Sequence, residues 1–489
     1  MAYIRHDANN NPVSPQPGVT TVSYLGGQAG WSTVTYENYN SDYIAYTYNS
    51  PAGIGTRTPG TYQARNSDNS TRTPAVYIRH DETNLPKPVL DLRFALNKSL
   101  TDHISGNNLI TFSRASIATY VGTDGLIKTA ATDEARFDHD PVTSGSLGLL
   151  IEEARTNNIS SDFATGSSAT GATLSKDFSI TNPDGTTGAI KLTATAGLER
   201  HRVTLSSSGE SDNHAYSFFV KKGNHRYVGM TQGGSANNIH CLFDFDTKTI
   251  FDDGGKGSHS FVSAGFEEYA NGWFRLHVVG TTSGTGLTAF LAESENSNGL
   301  QNWTAAGGEF MYVWGAQKEE GSFPTSFIPT SGSTVTRAAD VAEITGTNFT
   351  SFYNQNEGTM FAEAGTSTNT NNFDIFEYSN GSLTVRQTVR YDSAVTRAAF
   401  TGVGGGLTSQ QYVVITSPAN IKAAATQSLG FAVNGVLTGD AGTSNSGTKT
   451  QLAIGYRGSD GSAFINGHIK RLAYMSSELP DTILQSMTS

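Results

Sequence analysis

Cysteine is all but missing. The one cysteine in 489 residues, Cys241, excludes an internal disulfide and any metal cage built from thiolates. Charge is scarce too: Asp, Glu, Lys and Arg make up 15% of the chain, against about a quarter in an ordinary soluble domain. The balance is acidic, with 32 basic and 43 acidic side chains and a formal charge of −11. A phosphate backbone is bound by a basic field, so no nucleic-acid partner is expected. No apolar run approaches the roughly 18 residues of a membrane-spanning helix, so no membrane insertion is expected. The start, MAYIRHDANNN, lacks the apolar stretch of a signal peptide. No GxxxxGK[ST] phosphate loop is present, and Gly402-Val403-Gly404-Gly405-Gly406 lacks both the lysine and a following helix. No cofactor is expected.

What fills the space is glycine, serine, threonine and asparagine, with 53 Gly, 20 Tyr and 25 Phe. That mixture is too aromatic for a disordered chain and too poor in helix formers for a bundle, and it predicts an all-β protein rich in turns. The length allows about three domains. Tyr3-Ile4-Arg5-His6-Asp7 recurs as Tyr77-Ile78-Arg79-His80-Asp81, and two copies are too few for a solenoid. Residues 1–87 read as a β-rich arm with little core of its own, closed by Pro86 and Pro88. Residues 88–155 hold short strands (Leu109 to Phe112, Ala118 to Val121, Gly148 to Ile151) and read as a small linker module. From 156 to 335 the strands become regular: Phe274, Leu276 and Val278 alternate with Arg275 and His277, one face in and one out. Asn271-Gly272 and Asn298-Gly299 supply turn residues that tolerate positive φ. A second strand series fills 336–489 and ends in a short helix after Pro480. Two β-sandwiches behind an N-terminal arm are the predicted architecture.

Several phrases carry a family resemblance. Phe112-Ser113-Arg114-Ala115-Ser116, Arg136-Phe137-Asp138-His139-Asp140-Pro141 and Gly148 to Asn157 resemble a recurring module of tailed-phage virion proteins. Asn271 to Arg275, Val313-Trp314-Gly315-Ala316-Gln317 and Gly321 to Thr330 resemble the carbohydrate-binding-like jelly roll of phage tail and head fibres. Gly430 to Leu437, Ile454-Gly455 and Asn466 to Leu472 are similar to the end of a laminin-G or concanavalin-A-like lectin domain. The resemblance covers roughly 90–489 and implies a jelly roll over 156–335 and a lectin-like sandwich over 336–489. It implies a virion fibre, spike or decoration protein, made in the host cytoplasm, that displays glycan-binding sandwiches as a homo-oligomer, by preference a trimer. The arm 1–87 lies outside the resemblance and is expected to anchor to other virion proteins, with Arg5, Asp7, Arg79 and Asp81 of the repeat as contact residues. A purely structural component that cements neighbours, and a polysaccharide depolymerase, are the rival readings.

Asn372-Phe373-Asp374-Ile375-Phe376-Glu377 approaches the E-x-D-x-x-E strand of laminarinase-type hydrolases. Asn372 stands where the nucleophile belongs, and an amide cannot form a glycosyl ester. The spacing of Asp374 and Glu377 puts them on opposite faces of a regular strand, as solvent-facing residues. No catalysis is therefore expected. The pairs Glu152-Glu153 and Glu319-Glu320 are expected to serve packing or subunit contacts. Asp244, Asp246, Asp252 and Asp253 lie close in sequence, but Asp246-Thr247-Lys248 reads as a turn and the glycine and terminal glutamate of a calcium loop are missing. His225 and His240 show no ligand spacing, and Cys241 reads as a buried small hydrophobe. Sugars stack on aromatic rings. Trp273 and Trp314 sit in core-like phrases, which leaves Trp303 in a polar stretch, and Tyr391 and Tyr456 beside Arg390 and Arg457, as the candidate host-glycan platforms, with Arg457 as a hydroxyl-binding group.

Overall fold

In the computed structural model the chain divides into two units, Met1–Lys87 and Pro88–Ser489. Residues 87–489 are described apart from 165, 294–300, 367–370, 405–406, 416, 429 and 439–446; within 1–86 the description is of backbone strand pairs, such as Val34–Tyr39 with Tyr43–Tyr48. The side chains of Arg5, Asp7, Arg79 and Asp81 lie outside the described residues.

The second unit is all-β and holds two sandwiches. The jelly roll packs two six-stranded antiparallel sheets. One runs, in spatial order, Ser167–Thr170, Arg202–Leu205, Leu287–Leu291, Tyr227–Gly233, Asn238–Asp244 and Thr249–Lys256; the other Ala172–Thr181, Thr187–Ala194, Phe310–Glu320, Glu210–Lys222, Trp273–Thr282 and His259–Tyr269. Alternation builds the core: Phe274, Leu276 and Val278 meet Tyr216, Phe218, Met230, Cys241 and Phe243 between the sheets. Arg275 points the other way as expected, yet it is buried, because segment 322–328 covers it and the Thr325 carbonyl accepts from its guanidinium at 2.7 Å. Asn271 takes φ 60° in the turn before Trp273. Trp273 is buried, Trp314 packs half-buried on Phe327, and Cys241 lies within its strand in the core.

The C-terminal sandwich differs from its expected limits. Its seven-stranded sheet runs Leu407–Val414, Arg397–Gly404, Arg386–Asp392, Phe373–Ser379, Gln451–Ile454, Val341–Thr345 and Thr111–Ser113. Its eight-stranded sheet includes Leu90–Leu92, Phe137–His139 and Ser146–Ile151 beside Gly467–Met475 and Thr359–Gly365. Leu90–Leu92, Thr111–Ser113, Phe137–His139 and Ser146–Ile151 thus belong to these two sheets rather than to a separate module, while Ala118–Val121 and Ile127–Ala130 pair with each other. Strands of three to six residues cannot bury a core alone; Leu90, Leu92, Phe94, Leu149 and Ile151 are sealed in the core that the later strands supply. The jelly roll is inserted into this sandwich, and the chain enters and leaves it through a short ladder of Arg155–Asn157 against Val335–Arg337. The C-terminal helix forms at Asp481–Thr488 and packs Leu484 on Phe361 and Met475.

Beside that ladder lies a buried ionic knot. Glu152 bridges Arg136 at 2.7 Å and Arg337 at 2.9 Å, and Asp340 takes Arg114 at 3.0 Å and a second contact from Arg136. Ser326 donates its amide and hydroxyl to Glu152 at 2.7 and 2.6 Å, and Thr325 does the same for Glu319 at 2.8 and 2.6 Å. Burial alone would raise the Glu152 carboxyl, but Arg337 and Arg136 outweigh it and hold it well below the ordinary carboxylate range. Burial pushes the Arg337 guanidinium down while Glu152 pulls it up; an arginine stays charged either way. Arg114, Arg136, Glu152, Glu319, Thr325 and Ser326 come from the phrases singled out in the sequence or lie directly beside them, so those phrases meet at one place. Glu152 and Glu319 serve packing inside the chain.

Candidate functional site

Asp374 and Glu377 sit on Phe373–Ser379, mid-sheet in the C-terminal sandwich. The register against Arg386–Asp392 slips between Asp374 and Phe376. Ile375 and Phe376 consequently both enter the core, and the carboxyls of Asp374 and Glu377 emerge on the same outer face. The expected opposite faces are corrected by this bulge. Their expected solvent exposure is corrected as well: both are fully buried, because the segment after Gly455 folds across them. Arg457 contacts Asp374 at 3.2 Å, with Arg390 at 3.9 Å. The Ser459 amide and hydroxyl donate to Glu377 at 2.8 and 3.0 Å, and Arg386 lies at 3.6 Å. Asn372 accepts from the Ser393 amide at 2.8 Å and so closes the next turn.

Burial first, then the neighbouring Asp374, push Glu377 above its ordinary value against the pull of Ser459 and Arg386. A raised folded-state value favours the fold at low pH, and that advantage is lost as pH rises from the ordinary glutamate value of about 4.3 through the raised one. Glu377→Gln is accordingly expected to gain stability over wild type at neutral pH and to flatten the pH dependence above about pH 4. Urea unfolding at a series of pH values checks both, and a loss of stability at neutral pH would contradict them.

The structure places three of the four sequence-derived glycan candidates inside the protein. Trp303 opens the strand Trp303–Ala305, is 8% exposed, donates its indole N–H to the Leu291 carbonyl at 3.0 Å and stacks on His225. Tyr391 is buried against Phe373 at 5.1 Å. Tyr456 is buried, stacks on Phe464 at 5.2 Å and donates to Glu343. In each case strand alternation or a local stack turns the ring inward. Arg457 keeps partial exposure, with its charge engaged by Asp374. The aspartate cluster resolves into a turn: Lys248 takes φ 52°, and Asp244 accepts from the Asp246 amide at 2.8 Å and the Thr247 hydroxyl at 2.9 Å. Among the described residues no group of three or more His, Cys, Asp or Glu is placed to hold a metal ion.

Further along the same face, the margin strand is exposed. The cross-strand row Asp374, Arg390, Ala399, Tyr412 and the row Glu377, Thr388, Thr401, Gln410 run from the covered carboxyls to the sheet margin. There Tyr412 is 54% exposed, with the Arg397 guanidinium 4.6 Å from its ring centre. Asp392 fixes Arg397 at 3.1 Å, and Gln410 donates to the Thr401 hydroxyl at 3.2 Å. A ring, a guanidinium, an amide and a carboxylate on neighbouring strands offer one stacking surface and several hydroxyl partners. The sequence signal for Tyr412 was the alternation Gln410, Tyr412, Val414 against buried Gln411 and Val413.

No family model matches the chain, and no curated protein does. Among solved structures it is similar to CBM40 of the Ruminococcus gnavus IT-sialidase bound to α2,3-sialyllactose, at 14% identity and TM-score 0.25 over 27% of this chain and 82% of that one. Trypanosoma rangeli sialidase in complex with sialic acid matches at 9% identity and TM-score 0.24, over 62% of this chain and 60% of that one. Mouse laminin α1 domains LG4-5 match at 9% identity and TM-score 0.19, over 66% and 88% respectively. These likenesses are too distant to bear on function; the two sandwiches stand on the strand order given above.

Proposed function

We propose that the chain is a bacteriophage virion structural protein, a fibre, spike or decoration, whose sandwiches bind host-surface glycan without cleaving it. The observation that carries the binding is the open polar margin around Tyr412 and Arg397. The non-catalytic reading is supported by the carboxyl pair: retaining hydrolysis needs two carboxyls accessible across one glycosidic bond, and Asp374 and Glu377 lie sealed beneath Arg457 and Ser459. The ionic knot suits display, because it holds the jelly roll against the lectin-like sandwich. Anchoring through residues 1–87 to other virion proteins, a place on the virion, and assembly as a homo-oligomer, a trimer by resemblance, complete the proposal. A shallow site binds weakly on its own, and many copies on one particle make adhesion effective.

Purified host glycan tests it, by pull-down alongside reducing-end release. Retention without release is the expected result, with Tyr412→Ala or Arg397→Ala weakening retention about tenfold, or about 1.4 kcal/mol. Release that vanishes in Glu377→Gln would establish a depolymerase instead. Neither retention nor release would shift the reading to a component that only cements its neighbours.

A further inference from the structure

We propose that two copies of this chain pair edge to edge through the strand Leu407–Val414, joining their seven-stranded sheets across a two-fold axis. Leu407–Val414 hydrogen-bonds to Arg397–Gly404 on one side, and no described strand pairs its other edge. Free edges are hazardous, and proteins blunt them with short length, charge, proline or bulges. Every other described sheet edge of the second unit is blunted. Thr111–Ser113, Phe137–His139, Val436–Leu437 and Ser167–Thr170 have two to four residues. The three long ones carry charge and a register slip: Ala172–Thr181 has Lys176 and Asp177, Thr249–Lys256 has Asp252 and Asp253, and His259–Tyr269 has Glu267 and Glu268.

Leu407–Val414 has none of these devices. It is eight residues long, contains no charge, proline or glycine, and keeps unbroken register from Arg397↔Val414 to Gly404↔Leu407. It also gathers exposed apolar surface: Val414 is 71% and Tyr412 54% exposed, and Val395 stands at the same end, where Ile415 N donates to the Thr396 carbonyl.

A second copy fits this edge because the strand is its own complement. A two-fold axis normal to the sheet near Gln411 keeps outer face with outer face. It sets the Tyr412 of each copy beside the Gln410 of the other, and Thr408 beside Val414, and it brings no two charges together. At about 3.4 Å per residue the contact is roughly 27 Å long. A single pair of edge strands is a small contact beside the about 800 Å² per partner of a standard interface, and we expect association in the micromolar range. The contact is two-fold and therefore distinct from any three-fold assembly; in a trimer it would link trimers in pairs.

Sedimentation equilibrium of the full chain without glycan tests this, independently of the binding proposed above. The mass is expected to double between about 1 and 100 μM. Thr408→Lys with Val414→Lys sets like charges across the axis and is expected to abolish the doubling without shifting the melting temperature; Thr408→Glu with Val414→Glu is expected to do the same. Mixing the two variants is expected to restore it. A wild-type mass that never doubles would overturn the proposal and leave the edge to a strand of another protein. Doubling that persists in the lysine variant, or a mixture that stays undoubled, would overturn it equally.

Discussion

Glu152→Gln is expected to cost about 3–5 kcal/mol of stability, although the side chain keeps its size. The loss comes from charge and hydrogen bonding rather than from volume. Glu152 is buried between Arg136 and Arg337 and accepts two further hydrogen bonds from Ser326. An amide leaves Arg337 buried without its carboxylate and turns an N–H₂ toward a guanidinium. Arg136 retains Asp340, so Arg337 carries most of the penalty. The pH dependence gives a second signature. Because the folded-state carboxyl lies below its ordinary value, its contribution is complete above about pH 5 and is lost as pH falls through the ordinary value of about 4.3 toward the folded one. Denaturant midpoints measured from pH 3 to 7 should therefore fall for wild type on acidification and converge on those of the variant. Equal midpoints at neutral pH would contradict the penalty expected for leaving Arg337 buried without its carboxylate.

What the sequence disclosed and what it withheld follow from the range of the interactions. Alternation and turn chemistry act over a few residues, so the strand through Phe274, Leu276 and Val278, the turn at Asn271-Gly272 and the helix after Pro480 were readable. The pairing of Leu149 with Ile469, which ties the early strands into the late sandwich, has no local signature. A bulge is equally silent: nothing in Asp374-Ile375-Phe376-Glu377 announces that Ile375 and Phe376 both turn inward. The buried aromatics do carry a local signature. Tyr391 shares a face with Val389, and Trp303 shares one with Ala305 while Thr304 faces out; weighing that alternation above the polar neighbours assigns both rings to the interior. The charged phrases read as packing or contact segments, but the partners that their charges meet have no local signature. Their burial depends on five partners from distant parts of the chain arriving together.

Trp303→Ala and Tyr412→Ala should separate fold from binding. The first is expected to cost about 3–5 kcal/mol, the range for emptying a large aromatic from a core. It also strips the Leu291 carbonyl of its indole donor and removes the ring against which His201 packs at 4.7 Å and His225 at 5.3 Å. The second removes a ring that is 54% exposed and spans no core layer, so stability should move by no more than about 0.5 kcal/mol. Glycan retention should show the reverse order: weakened about tenfold in Tyr412→Ala, and kept per folded molecule in Trp303→Phe, which preserves most of the buried volume. Thermal melts paired with glycan pull-down measure both axes on the same preparations. If Trp303→Phe melts like wild type yet no longer holds glycan, the platform lies on the jelly roll beside His225, and the margin around Tyr412 is then a sheet edge without a sugar.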